Sequence, residues 1–263
     1  VDLLSYDDVR HKLKARRRGP ERLEDVPVGA IVGSVDRYAD FTRTFLPKES
    51  IDPDRWARVK RAMTGPSGVP PVVLHKIGDA YFVVDGNHRV SVARQLGFEQ
   101  IQAYVTEFEA RVPLSPDDRP EDLIVKAEYV QFLEDTELDR SRPDADLSLT
   151  EPGRYNTLSE HVQVHRYYMG IDDRRDVSFG EAAAHWYDEV YQPVVAVIRR
   201  LGLLRDFPGR TETDLYLWLT EHHAELEDAL DMDVPAESAG ADLAARHSPR
   251  PGRVAARVGD ALR

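Results

Sequence analysis

From residue 69 onward the apolar positions fall into short runs broken by turn residues. Pro71-Val72-Val73-Leu74-His75-Lys76 reads as a strand, Ile77-Gly78-Asp79 as a turn and Ala80-Tyr81-Phe82-Val83-Val84 as the returning strand of a hairpin. Asp85-Gly86-Asn87 follows, then a helical stretch from His88 to Leu96 with Gly97 as its C-cap, and Ile101-Gln102-Ala103-Tyr104-Val105 as a further strand. Upstream, Val26 to Val32 alternates apolar residues and predicts a short strand. Residues 34–48 are mixed and aromatic, with loop or short-helix character. Asp52-Pro53 opens a helix with Trp56, Val59, Ala62 and Met63 on one face, and Gly65-Pro66 closes it. The order strand, helix, hairpin, helix, strand predicts a compact α/β unit with a mixed sheet.

The flanks read differently. Ser5-Tyr6-Asp7-Asp8 starts a helix that runs through a basic stretch to Arg18 and stops at Gly19-Pro20. Those cations suit a helix C-terminus, with a basic arm for a polyanion as the alternative. Pro113 to Pro120 has the composition of a linker. Beyond it helices are predicted at about 121–134 and 157–169, from Ser178, and at about 211–229, with no competing strand pattern. Residues 235–263 are rich in Ala, Arg, Gly, Pro and Ser and predict a mobile tail. The expected organisation is an N-terminal helix at 1–25, an α/β domain at 26–110, an all-α helical domain at 120–232 and a disordered tail at 233–263.

Composition narrows the chemistry. The formal net charge of −12 repels nucleic acid on average, so DNA is disfavoured although a local basic patch is compatible with it. The chain has no cysteine, which removes disulfides, thiol catalysis and thiolate metal sites together. No apolar run approaches the roughly 18 residues of a membrane span and no signal peptide is visible, so a cytoplasmic location is expected.

The chemistry concentrates at Asp85-Gly86-Asn87-His88-Arg89, where a strand gives way to a helix. The first backbone N–H groups of a helix lack partners and the dipole there is positive. A glycine lets the backbone approach a ligand, and His88 and Arg89 add donors at the same spot. Ser91 and Arg94, a turn further on, are candidates to reach the same anion. The plain alternative is an ordinary helix start capped by Asp85, with a solvated arginine.

The run Val69 to Val105, VPPVVLHKIGDAYFVVDGNHRVSVARQLGFEQIQAYV, closely resembles the ParB/sulfiredoxin superfamily. The order of a leading strand, a helix, a hairpin ending in a glycine-led box, a helix and a closing strand is the layout of ParB proteins. The resemblance covers about 80 residues, from Val26 to about 107. It implies that the box binds nucleotide phosphates, as it does for CTP in ParB, for ATP in sulfiredoxin and for ADP in a kinase of free serine. Gly86 matches the box glycine, and His88 and Arg89 match its two basic positions. Asn87 stands where ParB has a glutamate and sulfiredoxin its catalytic cysteine, so sulfiredoxin chemistry is excluded. Asp85-Gly86-x-His88-Arg89 is most similar to the Asp-Gly-His-His-Arg form of the serine-kinase branch. No helix-turn-helix of the kind that follows this domain in ParB is visible after residue 120.

The expected function is therefore that of an NTPase, a phosphotransferase acting on a small-molecule acceptor, or a nucleotide-sensing regulator. ATP, ADP or CTP is the ligand, and Mg²⁺ a candidate companion. The alternative is a non-enzymatic, ParB-like, DNA-associated regulator, and a homodimer stays open. Secondary candidates are weaker. His161 and His165, four apart, have metal-ligand spacing, although packing or hydrogen bonding is the commoner role of such a pair. Arg166 and Tyr167, with Tyr168, are accessory candidates for gripping a phosphate and stacking on a base. Trp186, Tyr187, Tyr191, Val194, Val195, Ile198 and Leu201 form an apolar band for core or dimer packing. Tyr216 and Trp218, near His222 and His223, read the same way. Glu21, Glu24, Asp25 and Asp36 are surface acids that alternatively hold magnesium or act as a base.

Overall fold

The computed structural model describes residues 3–42, 45–46, 53–65, 69–230 and 234–247. The chain divides into two compact units, Val1–Val130 and Gln131–Arg263. The first is built on a mixed sheet and the second is helical.

In the first unit β1 (Leu4–Ser5), α1 (Tyr6–Lys12), β2 (Arg16–Arg17), β3 (Arg22–Pro27) and β4 (Ile31–Ser34) precede α2 (Pro53–Thr64). The hairpin β5 (Val72–Ile77) and β6 (Ala80–Asp85), α3 (Asn87–Gln95) and β7 (Gln100–Glu109) follow. Strand order is β1-β4-β6-β5-β7-β2, with β3 also paired to β7. β4 runs parallel to β6 and β5 parallel to β7, while β5 and β6 are antiparallel. One face carries the core of Val26, Ile31, Phe41, Phe45, Val72, Leu74 and Val83, against which Val90 and Ala93 of α3 pack. On β5 the alternate residue His75 points the other way, into a ring cluster with Tyr6 at 4.6 Å and Phe108 at 4.8 Å.

Two expectations change here. The predicted strand over 26–32 is two strands separated by the 3₁₀ turn Val28–Ala30. Val26 faces Ile101 in an antiparallel ladder, whereas Ile31 faces Tyr81 in a parallel one. Alternation reports burial, and Val26, Val28 and Ile31 are all buried, but it does not say which neighbour takes the hydrogen bonds. The first helix, capped as expected by Ser5, ends at Lys12 instead of Arg18. Leu13 and Ala15 turn into the core through Lys14 at φ 50°, and Arg16 and Arg17 pair with Glu109 and Phe108. The exposed arginines thus sit on a strand, where charge blunts edge-to-edge association, rather than on a helix terminus.

The proline-rich stretch 113–120 is not a loose tether. Leu114 is buried and its carbonyl accepts from the N–H of Asp79 at 2.9 Å, in the hairpin turn. Lys126 Nζ reaches the Pro113 carbonyl at 2.8 Å and Asp118 at 3.1 Å.

α4 (Asp122–Thr136) contains the division between the units. It leads to α5 (Leu138–Ser141), α6 (Arg154–Asp173), α7 (Phe179–Trp186), α8 (Gln192–Leu201), α9 (Leu203–Asp206), α10 (Glu212–Leu230) and α11 (Ala236–His247). Ser178 caps α7 by accepting from the N–H of Glu181 at 3.2 Å. The apolar band from Trp186 to Leu201 runs through α7, a π-helical segment at Tyr187–Tyr191, and α8. Pro193, at the start of α8, has no N–H to give an i−4 carbonyl, and the wider turn before it absorbs that loss. Trp186, Tyr191 and Tyr216 make the aromatic centre, with Trp186 Nε1 donating to the Tyr216 hydroxyl at 3.2 Å.

The predicted tail is also corrected. Residues 236–247 form α11, packed on α8 and α10 through Ala239, Gly240, Leu243 and Ala244. Its buried face is mostly small residues, which give little hydrophobic signal in sequence. A Cβ at Gly240 would lie 2.7 Å from Leu201 Cδ1, so the helices touch where side chains are smallest. The remainder of the predicted tail, 248–263, lies outside the described residues. No helix among the described residues is long and apolar enough to cross a membrane.

Burial lowers the pKa of His75 in the first unit and of His161 and His165 in the second below the ordinary 6.5. Their neutral forms are favoured when folded, so their contribution is fully present above about pH 6.5 and is lost as pH falls through their folded values. Urea unfolding is therefore expected to give lower stability at pH 5.5 than at pH 7.5, and His75→Phe, which keeps a ring without a titrating group, to narrow the gap. Stability that rises on acidification over this range would contradict it.

Candidate functional site

β4 and β6 run in the same direction, so their carboxyl ends finish at one edge of the sheet, where β5 also begins. Beyond that edge lies a cleft of about 490 Å³, within the usual range for a small-molecule site. Asp36 and Arg37, just after β4, form one wall, and Arg58, Val59 and Ala62 of α2 another. Val69 and the run Val84 to Arg89 complete it.

Gly86 makes the strand-to-helix corner at φ 109° and ψ 22°. A side chain is barred there twice, by the left-handed backbone and by Val72 Cγ1, which would lie 2.6 Å from a Cβ. The first intrahelical bond runs from the Val90 N–H to the Gly86 carbonyl, so the amides of Asn87, His88 and Arg89 have no helical acceptor. No side chain caps them. Asp85 does not act as the cap of an ordinary helix start; its carboxylate pairs with Arg89.

The predicted side chains divide by role. Asn87 is 8 % exposed, lines the cleft, and its Oδ1 is buried with no hydrogen-bond partner among the described residues. His88 is buried at the wall, edge-on to Phe41, with Arg37 Nη1 donating to its Nε2 at 3.1 Å. Arg89 lines the cleft, but Nη1 donates to the carbonyls of Pro70 at 2.7 Å and Pro71 at 2.9 Å, and Nη2 to Asp85. Its guanidinium thus ties the start of β5 and the end of β6 to the first turn of α3.

Two candidates are placed elsewhere. Ser91 is fully buried and outside the cleft wall, because one turn carries it about 6 Å further along the axis, under the sheet-packed part of α3. Arg94, further still, donates to the carbonyls of Ile31 at 2.6 Å and Val28 at 3.1 Å and stacks on Phe45. It braces the turn between β3 and β4.

Sequence reasoning missed Arg37 and Arg58. Neither lies in a motif, and only the fold brings the loop after β4 and the outer face of α2 to the box. Arg37 is held by Asp40 at 2.7 Å as well as by His88. Arg58 is exposed and makes no hydrogen bond or ion pair among the described residues. Of the four surface acids, Asp36 alone joins this cleft; Glu24 lines a separate depression of about 280 Å³ with Arg18, Arg22, Lys76 and Glu107. Among the described residues no group of three or more His, Asp or Glu side chains is arranged to hold a metal.

The accessory candidates belong to the second unit. Arg166 Nε donates to the Val177 carbonyl at 2.6 Å, and Tyr167 is exposed on α6. His161 bonds the Tyr216 hydroxyl at 2.9 Å, whereas His165 meets His185 at 2.8 Å, so the pair serves two packing contacts rather than one ion. His222, beside a second cavity of about 500 Å³, bonds Asp242 at 2.8 Å. The helix beside that cavity starts capped, Thr211 Oγ1 accepting from the N–H of Asp214 at 3.0 Å.

Residues 41–115 match the family model of the ParB N-terminal domain. This segment is similar to the ParB N-terminal domain. No curated protein matches the chain. Among solved structures, sulfiredoxin from Arabidopsis thaliana is 14% identical and covers 34% of this chain and 88% of its own, with a TM-score of 0.27. A Pnob8-like ParB-N domain is 13% identical over 89% of this chain and 91% of its own, with a TM-score of 0.23. The C-terminally truncated chromosome-partitioning protein ParB from Caulobacter crescentus, complexed with CTP-gamma-S, is 12% identical over 87% and 94%, with a TM-score of 0.26. These superpositions are loose, and the family model alone carries the assignment. The ParB N-terminal match spans α2, the hairpin and α3, which contribute to the cleft, and β7, which does not; Asp36 and Arg37 of the wall precede it.

The three bonds of Arg89 make it a structural tie as well as a wall residue. Arg89→Ala is expected to cost about 1.5–3 kcal/mol, since charged donors are removed from two carbonyls and a carboxylate. Arg89→Lys recovers only part, because an ammonium cannot span the three acceptors. Thermal melts without ligand check this; an unchanged melting temperature for Arg89→Ala would show that the tie is dispensable.

Proposed function

We propose that the cleft binds a nucleotide, with its phosphates on the free amides of Asn87, His88 and Arg89 and beside Arg58 and Arg37. The observation that carries this reading is the buried, unpartnered Oδ1 of Asn87 in the wall of a cleft with a positive helix start. A phosphate oxygen cannot satisfy that acceptor, which requires an N–H or O–H from the ligand. A nucleotide offers both: anionic oxygens for the amides and a base amine or ribose hydroxyl for Asn87. The ParB N-terminal match over 41–115 supports the same class of ligand.

Asp36 and Asp85 both reach the cleft, and Mg²⁺ ordinarily takes one or two carboxylates together with phosphate oxygens and water. These two residues would hold the ion, whose chemistry is to neutralise phosphate charge. Alternatively Asp36, which makes no ion pair among the described residues, stays off the metal and accepts a proton where the site hydrolyses the nucleotide or transfers its phosphoryl group to a small acceptor. His88, fixed by Arg37, and Arg89, fixed by Asp85 and two carbonyls, keep the amides in place without reorganisation, the condition for electrostatic stabilisation of a developing charge.

ATP, ADP, CTP and GTP, each with and without Mg²⁺, are tested by thermal shift, with pyrophosphate as the control. At least one nucleotide is expected to stabilise the protein by about 2.7 kcal/mol at 100 times its dissociation constant, and more than pyrophosphate does. Arg58→Ala is expected to weaken binding about tenfold while leaving the unliganded melting temperature unchanged. No shift with any nucleotide at millimolar concentration would falsify the reading.

The exposed Arg16 and Arg17 on β2 favour a second reading, contact with DNA. Neighbouring Glu24 and Glu107 interrupt that basic edge, and the net charge of −12 opposes it. Random duplex DNA is expected to show no retardation at physiological salt; tight, salt-sensitive retardation would support the DNA reading instead.

A further inference from the structure

The 500 Å³ cavity lies wholly within the second unit and shares no lining residue with the cleft of the first. One face of α10 lines it with Trp218, Glu221, His222 and Glu225, at the spacing i, i+3, i+4, i+7. Phe207 and Pro208, which follow α9, and Leu243 of α11 add apolar wall. Phe207 meets the Trp218 ring edge-on at 5.6 Å.

The polar groups of the wall are unequally committed. Arg210 stacks on Trp218 at 4.7 Å and donates to Glu151 at 2.5 Å and Thr150 at 2.9 Å. Glu221 pairs with Arg154 at 2.8 Å. Glu225 meets no basic group among the described residues except the His222 ring, at 3.9 Å. His222 is 7 % exposed, and its Nε2 is spent on Asp242 at 2.8 Å. An ionised Asp242 only accepts, so Nε2 carries the proton and Nδ1 of the neutral ring is left as an acceptor. Nδ1 turns toward Glu225 and makes no hydrogen bond among the described residues. Two acceptors thus face each other across a gap that only a donor can satisfy.

We propose that this cavity binds a small organic cation, an ammonium or guanidinium group carried on an aromatic or aliphatic body. The head donates to Glu225 and to His222 Nδ1 together, while the body lies against Trp218, Phe207, Pro208 and Leu243. Seven residues of helix separate Trp218 from Glu225, about 10 Å along the axis, which suits a ring on a tether of two or three atoms. An anion would meet the unpaired carboxylate and find Arg210 already held, and a neutral apolar ligand would leave both acceptors unsatisfied. A metal ion would lack ligands, since no group of three or more His, Asp or Glu is arranged for one among the described residues.

NMR titration of the full chain with 2-phenylethylamine, 2-phenylethanol, 3-phenylpropionate and ethylamine tests this at about pH 8, where alkylamines stay protonated. Trp218→Phe identifies which of the three indole N–H resonances reports on the cavity. 2-Phenylethylamine is expected to shift that resonance with a dissociation constant on the order of 0.1–1 mM. The alcohol and ethylamine should bind at least about tenfold more weakly, and the carboxylate not at all. Glu225→Gln should weaken the amine about tenfold and leave the alcohol unchanged, with the same melting temperature, because the side chain is 79 % exposed. Arg58→Ala, in the first unit, should leave amine binding as it is. No shift of the Trp218 resonance up to about 20 mM amine would overturn the proposal. Equal binding of the alcohol, tighter binding of the carboxylate, or amine binding indifferent to Glu225→Gln would each do the same.

Discussion

Where β6 gives way to α3 the chain must turn within one residue, and Gly86 does so in a left-handed conformation with Val72 pressed against the space a side chain would need. Arg89 then holds the corner from the other side, bonded to Pro70, Pro71 and Asp85. The start of β5, the end of β6 and the first turn of α3 therefore meet at one guanidinium. Because the corner cannot relax, the amides of the first turn of α3 stay aimed outward and uncapped. The cleft exists because its floor is fixed.

That constraint separates cations by role. A basic residue beside an anion site is easily read as a ligand, yet a guanidinium with its donors committed to carbonyls serves the fold first. Arg94 is wholly of that kind, bracing the turn between β3 and β4, and Arg89 is largely so. Arg58 has no such commitment among the described residues and is the charge a phosphate would meet at least cost. The net charge of −12 did not indicate this, since the field at a cleft depends on which side chains line it rather than on the total.

The second unit follows a different economy. Its centre is aromatic and hydrogen-bonded, with Trp186, Tyr191 and Tyr216 interlocked, while its last helix docks through alanines and a glycine. Burial raises the Tyr216 phenol to about 12 and keeps it protonated, able to accept from Trp186 while it bonds His161. A helix that spends its inner face on such a core and still carries exposed tyrosines on its outer face has more apolar surface than its own unit uses.

Much of the local structure was legible in the sequence because it rests on short-range physics. The hairpin over 72–85, the helix start after Gly86, the Ser178 cap and the mixed sheet followed by helices all arise from turn residues, caps and periodicity that neighbours in the chain define. Asp85, Gly86, Asn87, His88 and Arg89 were placed together for the same reason, being consecutive. The rest was settled by partners distant in sequence. Pairing with β7 turned Arg16 and Arg17 into a strand, and a 3₁₀ turn divided one alternating run between two ladders. Small-residue packing made a helix of residues 236–247, and a single turn of α3 took Ser91 into the core. Arg37 and Arg58 joined the cleft only when the carboxyl end of β4 and the face of α2 were brought beside it. A side chain's direction and its hydrogen-bond partners are properties of the packed molecule, so the sequence named the box whereas the tertiary structure decided which of its groups were left for a ligand.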